Sequence, residues 1–524
     1  MVSLLHLGEV VATHARIHPD RVGVRDLDRQ LTFAQWNRRA CRLANALLGL
    51  GLTKGDRVAV LAYNRLEWME IYAAVAKAGL VVVPVNFRLV GSEIAFIVQD
   101  SGAKVLICED ELVERLEGIR AELPLLPQGW VHLGGRRPPA GFIAYEELVA
   151  AASEREPGVS VTASDPWAFM YTSGTTGRPK GAIRSHGASA LLSLVTEVEL
   201  GFHRRDTALL VMPMCHANSL YFATSLAYCG GGCFVYNRRS FDPEHVLATL
   251  AAGGATFTSL VPTQYVMMLE LPKAVRARYD LSQVRRLMIS SAPARRDTKL
   301  GIMELFPNSG LFELYGSTEQ GWVTMLHPEE QLAKLGSVGR ECVGSRRVRL
   351  LDDAGREVPD GEVGELFAWT PYLFDGYWNA PEKTAAAMRD GFCSVGDMAR
   401  RDEDGFIWLV DRKSNMIISG GENVYPSEVE AVLLGHPAVR EAAVIGLPDP
   451  LWGERVHAVV VLHPGAALDS AELLEWCRPR LAGYKRPRSL TFMAAEDIPR
   501  TATGKIQHRL LRNRILEQER GPTP

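Results

Sequence analysis

The sequence lacks a long apolar run and any strong excess of one charge. Its 58 basic and 61 acidic residues leave a formal net charge of −3, which excludes the strongly basic character typical of nucleic-acid-binding proteins. His6, Glu9 and His14 interrupt the first twenty residues, so the start does not resemble a secretory signal. No later apolar run reaches membrane-spanning length. We therefore expect a cytoplasmic protein without integral membrane association and without a nucleic-acid partner.

A regular cysteine pattern is also missing. The eight cysteines are scattered along the chain and do not form a disulfide framework. The one close pair, Cys229 and Cys233, has no second Cys or His pair at zinc-finger spacing. We interpret these two residues as reduced thiols beside a glycine turn.

The length and the early pattern predict an α/β N-terminal part. A chain of 524 residues needs more than one hydrophobic core. At Thr32 a Thr-x-x-Gln capping box opens a helical pattern, which can end at Gly51. Apolar strand patterns follow at 58–61, 81–83 and 105–108, separated by helical stretches. Short apolar strands between helices indicate parallel sheets that are covered on both faces.

The C-terminal part has a different pattern. After a charged turn at 411–413 the sequence predicts a strand at 456–462 and a helix at 471–481, as in a small α+β domain. Because charged, solvated backbone can serve as a linker, we expect a large N-terminal domain of residues 1–411 and a small C-terminal domain of residues 412–524. We interpret the basic segment 508–520 as a solvated helical face rather than an interaction arm.

The strongest motif is YTSGTTGRPKG at residues 171–181. Glycines let the backbone approach an anion closely, hydroxyls and amides donate to phosphate oxygens, and Lys180 adds positive charge. The spacing differs from that of the P-loop, which has four residues between its first glycine and Gly-Lys-Ser/Thr. The motif predicts a loop that binds nucleotide phosphates by another geometry.

With this loop, the sequence resembles the adenylate-forming superfamily, which contains acyl-CoA synthetases, adenylation domains of peptide synthetases and firefly luciferase. Further matches follow in that family's order at 315–319, 396–397, 411–413, 420–421 and 499–505. Several short matches in order are much more specific than any one alone. The resemblance covers almost the whole chain and implies the family's fold, a large α/β N-terminal domain with stacked sheet subdomains and a small mobile α+β C-terminal domain.

The resemblance also implies an activity, that of an ATP-dependent acyl-CoA ligase. A carboxylic acid and ATP would give an acyl-adenylate and pyrophosphate, and the acyl group would then pass to coenzyme A with release of AMP. Adenylation makes AMP the leaving group but brings two anions together, so the site must concentrate positive charge and oriented donors. The expected cofactors and co-substrates are ATP, Mg²⁺ and coenzyme A.

Individual roles are carried over from the family by motif. Lys505 is similar to the adenylation lysine, Glu319 to the residue that holds Mg²⁺, and Thr318 to the residue that supports the α-phosphate. A hard cation prefers oxygen ligands, and the Thr175 hydroxyl would be a second Mg²⁺ ligand beside the Glu319 carboxylate. The resemblance also implies that Tyr315 of this chain stacks on adenine.

The other assignments concern ribose, coenzyme A and the phosphate loop. Asp397 would accept hydrogen bonds from both ribose hydroxyls, with Arg412 as a second ribose contact. The resemblance places a hinge at Asp411, about which the small domain rotates so that the glycines at 420 and 421 leave room for pantetheine. The complete set implied for nucleotide and coenzyme A binding is Thr172, Ser173, Gly174, Thr175, Thr176, Gly177, Lys180, Ser291, Ala292, Pro293, Tyr315, Gly316, Ser317, Asp397, Arg412, Gly420 and Gly421.

The sequence departs from the family pattern at two places. The segment GFCSVGD at 391–397 lacks the usual basic residue and threonine before Gly-Asp, and the acidic residue common after Lys413 is absent. The first departure weakens the assignment of Ser394 and Val395 but leaves that of Asp397. The second leaves the details of the hinge open.

The acid is specified less well than the nucleotide. The resemblance places His216 in the active site, where it lines and gates the acyl pocket; a carboxylate nucleophile needs no general base. The positions that resemble the acyl pocket carry no charge, which favours an apolar aliphatic acid of medium or long chain, or an aryl acid. These positions are His216, Asn218, Val261, Ser291, Gly316 and Gln320.

Alternatives remain open at this point. The chain could be a luciferase-like adenylate-dependent monooxygenase, an enzyme that loads a separate carrier protein, or a catalytically silent nucleotide-binding regulator. The two family domains leave no room for a fused carrier, which favours free coenzyme A as the acceptor, and the joint presence of Glu319, Asp397 and Lys505 disfavours a silent protein. The sequence does not distinguish a monomer from a homodimer.

Overall fold

A computed structural model describes residues 6–172, 179–290, 294–413, 415–419, 422–450, 452–501 and 504–520. The chain forms two compact units. The first contains the residues up to Arg347 together with Ala368–Cys393, and the second contains Val348–Phe367 together with the residues from Ser394 onward. The boundary predicted at residue 411 lies inside the second unit, and its role as a hinge stays a prediction.

Helices are distributed over both units. The α-helices found in the described residues are α1 (Leu7–Ile17), α2 (Phe33–Gly49), α3 (Glu67–Lys77), α4 (Gly91–Ser101), α5 (Tyr145–Ala151), α6 (His186–Leu200), α7 (Ala217–Tyr228), α8 (Pro243–Ala252), α9 (Pro262–Leu269), α10 (Lys273–Arg276), α11 (Arg296–Leu305), α12 (Pro381–Ala387), α13 (Pro426–Leu434), α14 (Ser470–Cys477) and α15 (His508–Arg520).

Strands alternate with these helices along the chain. Those of the first part are β1 (Val22–Arg25), β2 (Gln30–Thr32), β3 (Arg57–Leu61), β4 (Val81–Val85), β5 (Val105–Glu109), β6 (Trp130–Leu133), β7 (Ile143–Ala144), β8 (Pro166–Thr172), β9 (Lys180–Ser185), β10 (Thr207–Leu210), β11 (Gly232–Val235), β12 (Phe257–Leu260), β13 (Arg286–Ser290), β14 (Gly310–Ser317), β15 (Gly321–Leu326) and β16 (Arg340–Glu341). Those of the later part are β17 (Arg349–Leu351), β18 (Val363–Phe367), β19 (Met388–Arg389), β20 (Phe392–Cys393), β21 (Asp397–Arg401), β22 (Ile407–Arg412), β23 (Ile417–Ser419), β24 (Glu422–Val424), β25 (Val439–Asp449), β26 (Gly453–Leu462) and β27 (Ser489–Phe492).

Two large sheets organise the first unit. One has the strand order β7-β6-β5-β3-β4-β8-β9, and the other has the order β16-β15-β14-β13-β12-β10-β11-β1-β2. Neighbouring strands are parallel from β7 to β8 and from β14 to β1, whereas β9, β15, β16 and β2 are antiparallel additions at the edges. The α/β architecture predicted for this part is confirmed.

Buried helices connect the two sheets of the first unit. Every residue of α3 is buried, as expected for a helix covered on all sides. One hydrophobic cluster contains side chains of α2, α3, α6 and α7 together with residues of both sheets, such as Val60 and Phe257. The two sheets therefore share a core with the helices between them.

The helix predicted at Thr32 forms for the predicted reason. The Thr32 hydroxyl accepts a hydrogen bond from the backbone N–H of Gln35, and the Gln35 side chain accepts one from the backbone N–H of Thr32. The predicted stop also holds, because α2 ends at Gly49 and Gly51 has a φ of +94°. The strands predicted at 58–61, 81–83 and 105–108 correspond to β3, β4 and β5.

The second unit contains two smaller sheets. Strands β17-β18-β21-β22 form one, and β24-β23-β26-β25 form the other, with β27 parallel to β26. Helix α15 packs on the second of these sheets, where Leu511 and Ile515 are buried against β25 and β26. The basic terminal segment is therefore a helix with one packed face. The predicted strand at 456–462 lies within β26.

The helix predicted at 471–481 is shorter than expected. It begins at Ser470, where the Asp469 carboxylate caps the N–H of Glu472 at 2.8 Å, and ends at Cys477. Pro479 explains the early end, because it has no backbone N–H to donate to the carbonyl of Glu475, although Arg478 itself keeps helical φ and ψ angles of −59° and −49°. In the described part of the chain, no helix is both long and apolar enough to cross a membrane.

Candidate active site

The two ends of the phosphate-loop motif are held beside each other by a pair of antiparallel strands. Thr172, at the end of β8, pairs directly with Lys180, at the start of β9. The turn between them lies outside the described residues. So do several predicted site residues, namely Ser173, Gly174, Thr175, Thr176, Gly177, Ser291, Ala292, Pro293, Gly420 and Gly421.

The Glu319 carboxylate lies beside these loop ends. Its side chain is buried, with 6% of the residue exposed. The hydroxyl of Tyr377 donates a hydrogen bond of 2.8 Å to Glu319 Oε1, and the Thr172 hydroxyl donates one of 3.4 Å to the same oxygen. Lys180 Nζ lies 4.2 Å from the centre of the Tyr377 ring. The structure therefore brings the two ends of the phosphate loop and the motif at 315–319 together around Tyr377.

Glu319 and Thr318 stand on a tight turn between β14 and β15. A side chain on Gly316 would place its Cβ 2.1 Å from the carbonyl oxygen of Gly321, a distance that only glycine avoids. The Ser317 hydroxyl accepts a hydrogen bond of 3.1 Å from the backbone N–H of Gln320 and closes the turn. The sequence motif thus encodes a compact turn that presents Thr318 and Glu319.

A buried arginine holds the backbone of this turn in place through hydrogen bonds. Arg184 of β9 is fully buried, and its Nη1 donates to the carbonyl oxygens of Thr318 at 3.3 Å and Glu319 at 3.4 Å. The backbone N–H of Phe374 donates to the Glu319 carbonyl as well, at 2.8 Å. The backbone of the two candidate catalytic residues is therefore fixed from two sides.

Tyr315 precedes this turn on β14. It is buried, and its backbone pairs with Thr324 of β15. Gln320, on the other side of the turn, is fully buried and donates a hydrogen bond of 2.8 Å to the carbonyl of Cys393. Stacking of adenine on Tyr315 stays a prediction.

The predicted acyl-pocket residues His216 and Asn218 lie at the start of α7. His216 is the N-cap residue, and burial lowers its pKa to about 4, with the Arg88 guanidinium acting in the same direction. The imidazole is therefore neutral at physiological pH. The Asn218 amide donates to the hydroxyls of Ser259 at 3.1 Å and Ser290 at 3.0 Å, so α7 is tied to the ends of β12 and β13.

In the second unit, the structure pairs Asp397 with Arg412. The two residues are opposite each other on β21 and β22, and Arg412 Nε lies 3.0 Å from Asp397 Oδ1. The side chain of Asp411 accepts hydrogen bonds from the backbone N–H of Arg412 at 2.6 Å and of Ser427 at 3.0 Å. Asp411 therefore links β22 to the start of α13, and its role as a hinge stays a prediction.

The charges of Asp397, Asp411 and Arg412 affect the pKa of Lys505. Desolvation by the surrounding protein lowers the pKa of its ammonium, Arg412 lowers it further, and Asp397 and Asp411 raise it. The side chain still remains exposed. Within the second unit, the candidate adenylation lysine and the candidate ribose-binding pair therefore share one electrostatic environment.

Sequence reasoning missed Tyr377 and Arg184. Tyr377 lies 58 residues after Glu319, and no motif recognised in the sequence contains it. For Arg184 a signal was present, since it is a charged residue that directly follows the apolar pair Ala182 and Ile183 in a short strand next to the phosphate loop. A charge at such a position points to a buried partner or to a site.

Comparisons with known proteins show the family and the fold of the chain. The family model described as AMP-binding enzyme matches residues 11–378, and that of the AMP-binding enzyme C-terminal domain matches residues 428–505. A feruloyl-CoA synthase from Amycolatopsis sp is 39% identical over 97% of this chain and 99% of its own length. A long-chain-fatty-acid–CoA ligase, FadD13, from Mycobacterium tuberculosis is 35% identical over 93% of each chain. The crystal structure of the anthranilate CoA ligase AuaEII in complex with anthranoyl-AMP superimposes with a TM-score of 0.87 at 27% identity, covering 98% of each chain.

Proposed function

The chain belongs to the AMP-binding enzyme family and is an AMP-forming acid–thiol ligase that uses ATP and coenzyme A, and on this premise we propose which of its residues perform each half of the reaction. In the first half, the carboxylate of the acid attacks the α-phosphate of ATP and pyrophosphate leaves. In the second half, the thiol of coenzyme A attacks the acyl carbon and AMP leaves.

Adenylation requires cationic groups where two anions meet. We assign this role to Lys505, whose ammonium would offset the negative charge that accumulates as carboxylate and α-phosphate join. Lys180 and Thr172 would hold the phosphates, and Thr318 would donate to the α-phosphate. Asp397 and Arg412 would hold the ribose, which agrees with their position near Lys505 in the second unit.

Glu319 has the chemistry of a magnesium ligand. Its carboxylate is buried beside the ends of the phosphate loop and is oriented by two hydroxyl donors. A hard divalent cation prefers such an oxygen ligand, and when bound it would neutralise charge on the phosphates. Tyr377 and Arg184 would serve as positioning residues, the first for the carboxylate and the second for the backbone of the turn.

For the thiol half, Asp411 is the proposed hinge residue, and the glycines at 420 and 421 would border the pantetheine channel. Asp411 is suited to this role because its carboxylate joins β22 to α13. His216, neutral at physiological pH, would line the acyl pocket together with Asn218. We propose a cytoplasmic enzyme acting on an apolar aliphatic acid of medium or long chain, or on an aryl acid, in line with the relatives named above.

One observation supports the proposal most strongly. The ends of the phosphate loop and the Glu319 carboxylate, which are far apart in the sequence, meet through Tyr377 and Thr172. An array of this kind, with a cation, hydroxyls and a buried carboxylate, suits a nucleotide triphosphate with its metal.

The test is acid-dependent release of pyrophosphate from ATP, measured across short, medium, long and aromatic acids with and without coenzyme A. We expect at least one acid to release pyrophosphate in a magnesium-dependent manner, with acyl-CoA and AMP formed only when coenzyme A is present. If no acid supports release, the proposal is wrong. If acyl-adenylate forms but coenzyme A never accepts the acyl group, the assignment of the second half is wrong.

A further inference from the structure

Arg184 carries donors that the protein itself does not use. Its guanidinium is fully buried, and Nη1 is engaged by the carbonyl oxygens of Thr318 and Glu319. The other two nitrogens, Nε and Nη2, have no hydrogen-bond partner among the described residues. An arginine stays protonated in a protein interior, so a buried positive charge remains in the core of the first unit, with two donors that lack a partner in the described part of the chain.

The free donors form one edge of the guanidinium. The N–H groups of Nε and Nη2 are coplanar and nearly parallel, and this edge matches the two oxygens of a carboxylate. Burying charged donors without hydrogen-bond partners is costly, because the loss of their hydration is not offset. The edge therefore fits a planar, anionic ligand with two oxygens.

A second buried donor belongs to Tyr221, whose ring lies near the Arg184 guanidinium. The Arg184 guanidinium carbon is 5.5 Å from the centre of the Tyr221 ring, and the Tyr221 hydroxyl is fully buried without a hydrogen-bond partner among the described residues. Burial raises the pKa of Tyr221, so its hydroxyl keeps the proton and can donate it in a hydrogen bond. Tyr221 stands on α7 one helical turn after Asn218, whose buried Oδ1 also has no partner in the described part of the chain.

Arg184 thus lies between the two segments to which the acid is assigned, α7 and the turn that carries Thr318 and Glu319. We propose that the acid has a second carboxylate at its far end, which binds the Nε and Nη2 edge of Arg184 and accepts a hydrogen bond from Tyr221. This inference rests on the proposed function and changes one part of it, because it adds a second carboxylate to an acid that the uncharged pocket positions predict to be apolar.

The reacting carboxylate is a less suitable occupant of the same edge. A bidentate guanidinium would withdraw charge from the attacking oxygens and weaken the nucleophile, and the reacting group has to meet the α-phosphate. A distal carboxylate meets neither difficulty. The six acyl-pocket positions named from the sequence, all uncharged, did not include Arg184. This residue lies on β9 beyond the end of the phosphate-loop motif at residue 181.

The test compares matched pairs of acids on the wild-type enzyme. Each pair contains a dicarboxylic acid and its monomethyl ester, in linear aliphatic and in para-substituted aromatic series of increasing length. The measured quantity is kcat/KM for acid-dependent pyrophosphate release. We expect one length at which the dicarboxylic acid exceeds its ester by at least about 100-fold, since a site built around a buried polar group rejects ligands that leave it unpaired.

Two variants connect this preference to the proposed residues. Arg184→Met keeps the length of the side chain and removes its charge, and Tyr221→Phe removes only the hydroxyl. We expect Arg184→Met to abolish or reverse the dicarboxylate preference, and Tyr221→Phe to reduce it several-fold. Ratios within each pair are compared, so a general loss of activity through the turn at Thr318 and Glu319 cancels.

The proposal is overturned if the wild type prefers the ester in every pair, a result that needs no variant. It is also overturned if both variants fold and keep the wild-type ratio. If neither dicarboxylic nor monocarboxylic acids release pyrophosphate, the proposed function is wrong, and the inference that rests on it is wrong as well. Release with monocarboxylic acids only would keep the proposed function and refute this inference.

Discussion

At the scale of single residues, the Glu319 carboxylate depends on the Tyr377 hydroxyl for its orientation. Replacement of Tyr377 by Phe removes the donor at 2.8 Å while keeping the ring next to Lys180. Hydrogen bonds to charged groups contribute about 1.5–3 kcal/mol. We therefore expect kcat/KM for ATP to fall by roughly 10-fold or more, with a higher magnesium concentration needed for half-maximal rate.

The chain offers a matched control for this variant. Tyr145 donates a hydrogen bond of the same length, 2.8 Å, to the buried Glu70 in the same unit, away from the phosphate loop. Tyr145→Phe should lower stability to a similar extent and leave the magnesium dependence unchanged. Equal magnesium profiles for the two variants would show that Tyr377 has a structural role only.

A second prediction at this scale concerns the charge on Lys505. Adenylation needs the protonated ammonium, so activity should fall as pH rises through the pKa of Lys505, which lies below the usual 10.5 because of desolvation and of Arg412. Arg412→Gln removes a cation that lowers the pKa, so the alkaline limb should move to higher pH. Asp397→Asn removes a carboxylate that raises it, so the limb should move to lower pH.

The measurement is the pH profile of kcat/KM for pyrophosphate–ATP exchange, which reports groups of the free enzyme. Because Asp397 and Arg412 are also candidate ribose contacts, both variants should lose rate, and the informative quantity is the position of the limb. Shifts in the same direction, or no shift in either variant, would contradict the assignment of that limb to Lys505.

Sequence motifs identified part of this site. Lys180, Thr318 and Glu319 could be named because each lies in a short motif whose residues act together. Tyr377 and Arg184 could not be named with a role, because their contacts to Glu319 and Thr318 are long-range and arise only when β9, the turn after β14 and the segment near Tyr377 are packed together.

At the scale of elements, the turn between β14 and β15 leaves no room for a side chain at Gly316. A Cβ at this position would lie 2.1 Å from the backbone oxygen of Gly321. Gly316→Ala should therefore displace the turn, with Thr318 and Glu319, and reduce adenylation by at least about 100-fold. The measurement is acid-dependent pyrophosphate release together with a thermal denaturation curve.

Gly49 provides the control at this scale. An added Cβ there meets no atom within 4 Å, and the residue ends α2 without a positive φ. Gly49→Ala should keep full activity and leave stability unchanged or slightly higher, since alanine favours helix over glycine by about 1 kcal/mol. If Gly316→Ala is as active as Gly49→Ala, the turn does not need its present geometry.

Element boundaries show what local sequence can and cannot specify. The start of α2 follows from Thr32 and Gln35 alone, because a capping box is a local arrangement of side chain and backbone. The expected helix to residue 481 was wrong because apolar periodicity continues past Cys477, whereas Pro479 has no N–H to continue the helical hydrogen bonds. The missing donor of one residue overrides the periodicity of several.

At the scale of the whole molecule, one compact unit contains residues that the domain boundary predicted from the sequence would separate. Asp397, Arg412 and Lys505 belong to one compact unit, although the predicted domain boundary at residue 411 runs between the first two of them. The fold class followed from the alternation of strands and helices and from the family resemblance. The grouping of the units did not, because it depends on the antiparallel pairing of β18 with β21 and of β21 with β22, which local sequence does not specify.

The central claim is that Lys505 supplies the cation for adenylation and is dispensable for thiol transfer. The most direct measurement uses Lys505→Ala in two assays, pyrophosphate–ATP exchange and acyl-CoA formation from a synthetic acyl-adenylate, with Lys485→Ala of the same unit as the control. We predict that exchange falls by at least about 100-fold in Lys505→Ala, that acyl transfer to coenzyme A stays near the wild-type rate, and that the control keeps both. Near-normal exchange in Lys505→Ala, or an equal loss of both half-reactions, would contradict the account.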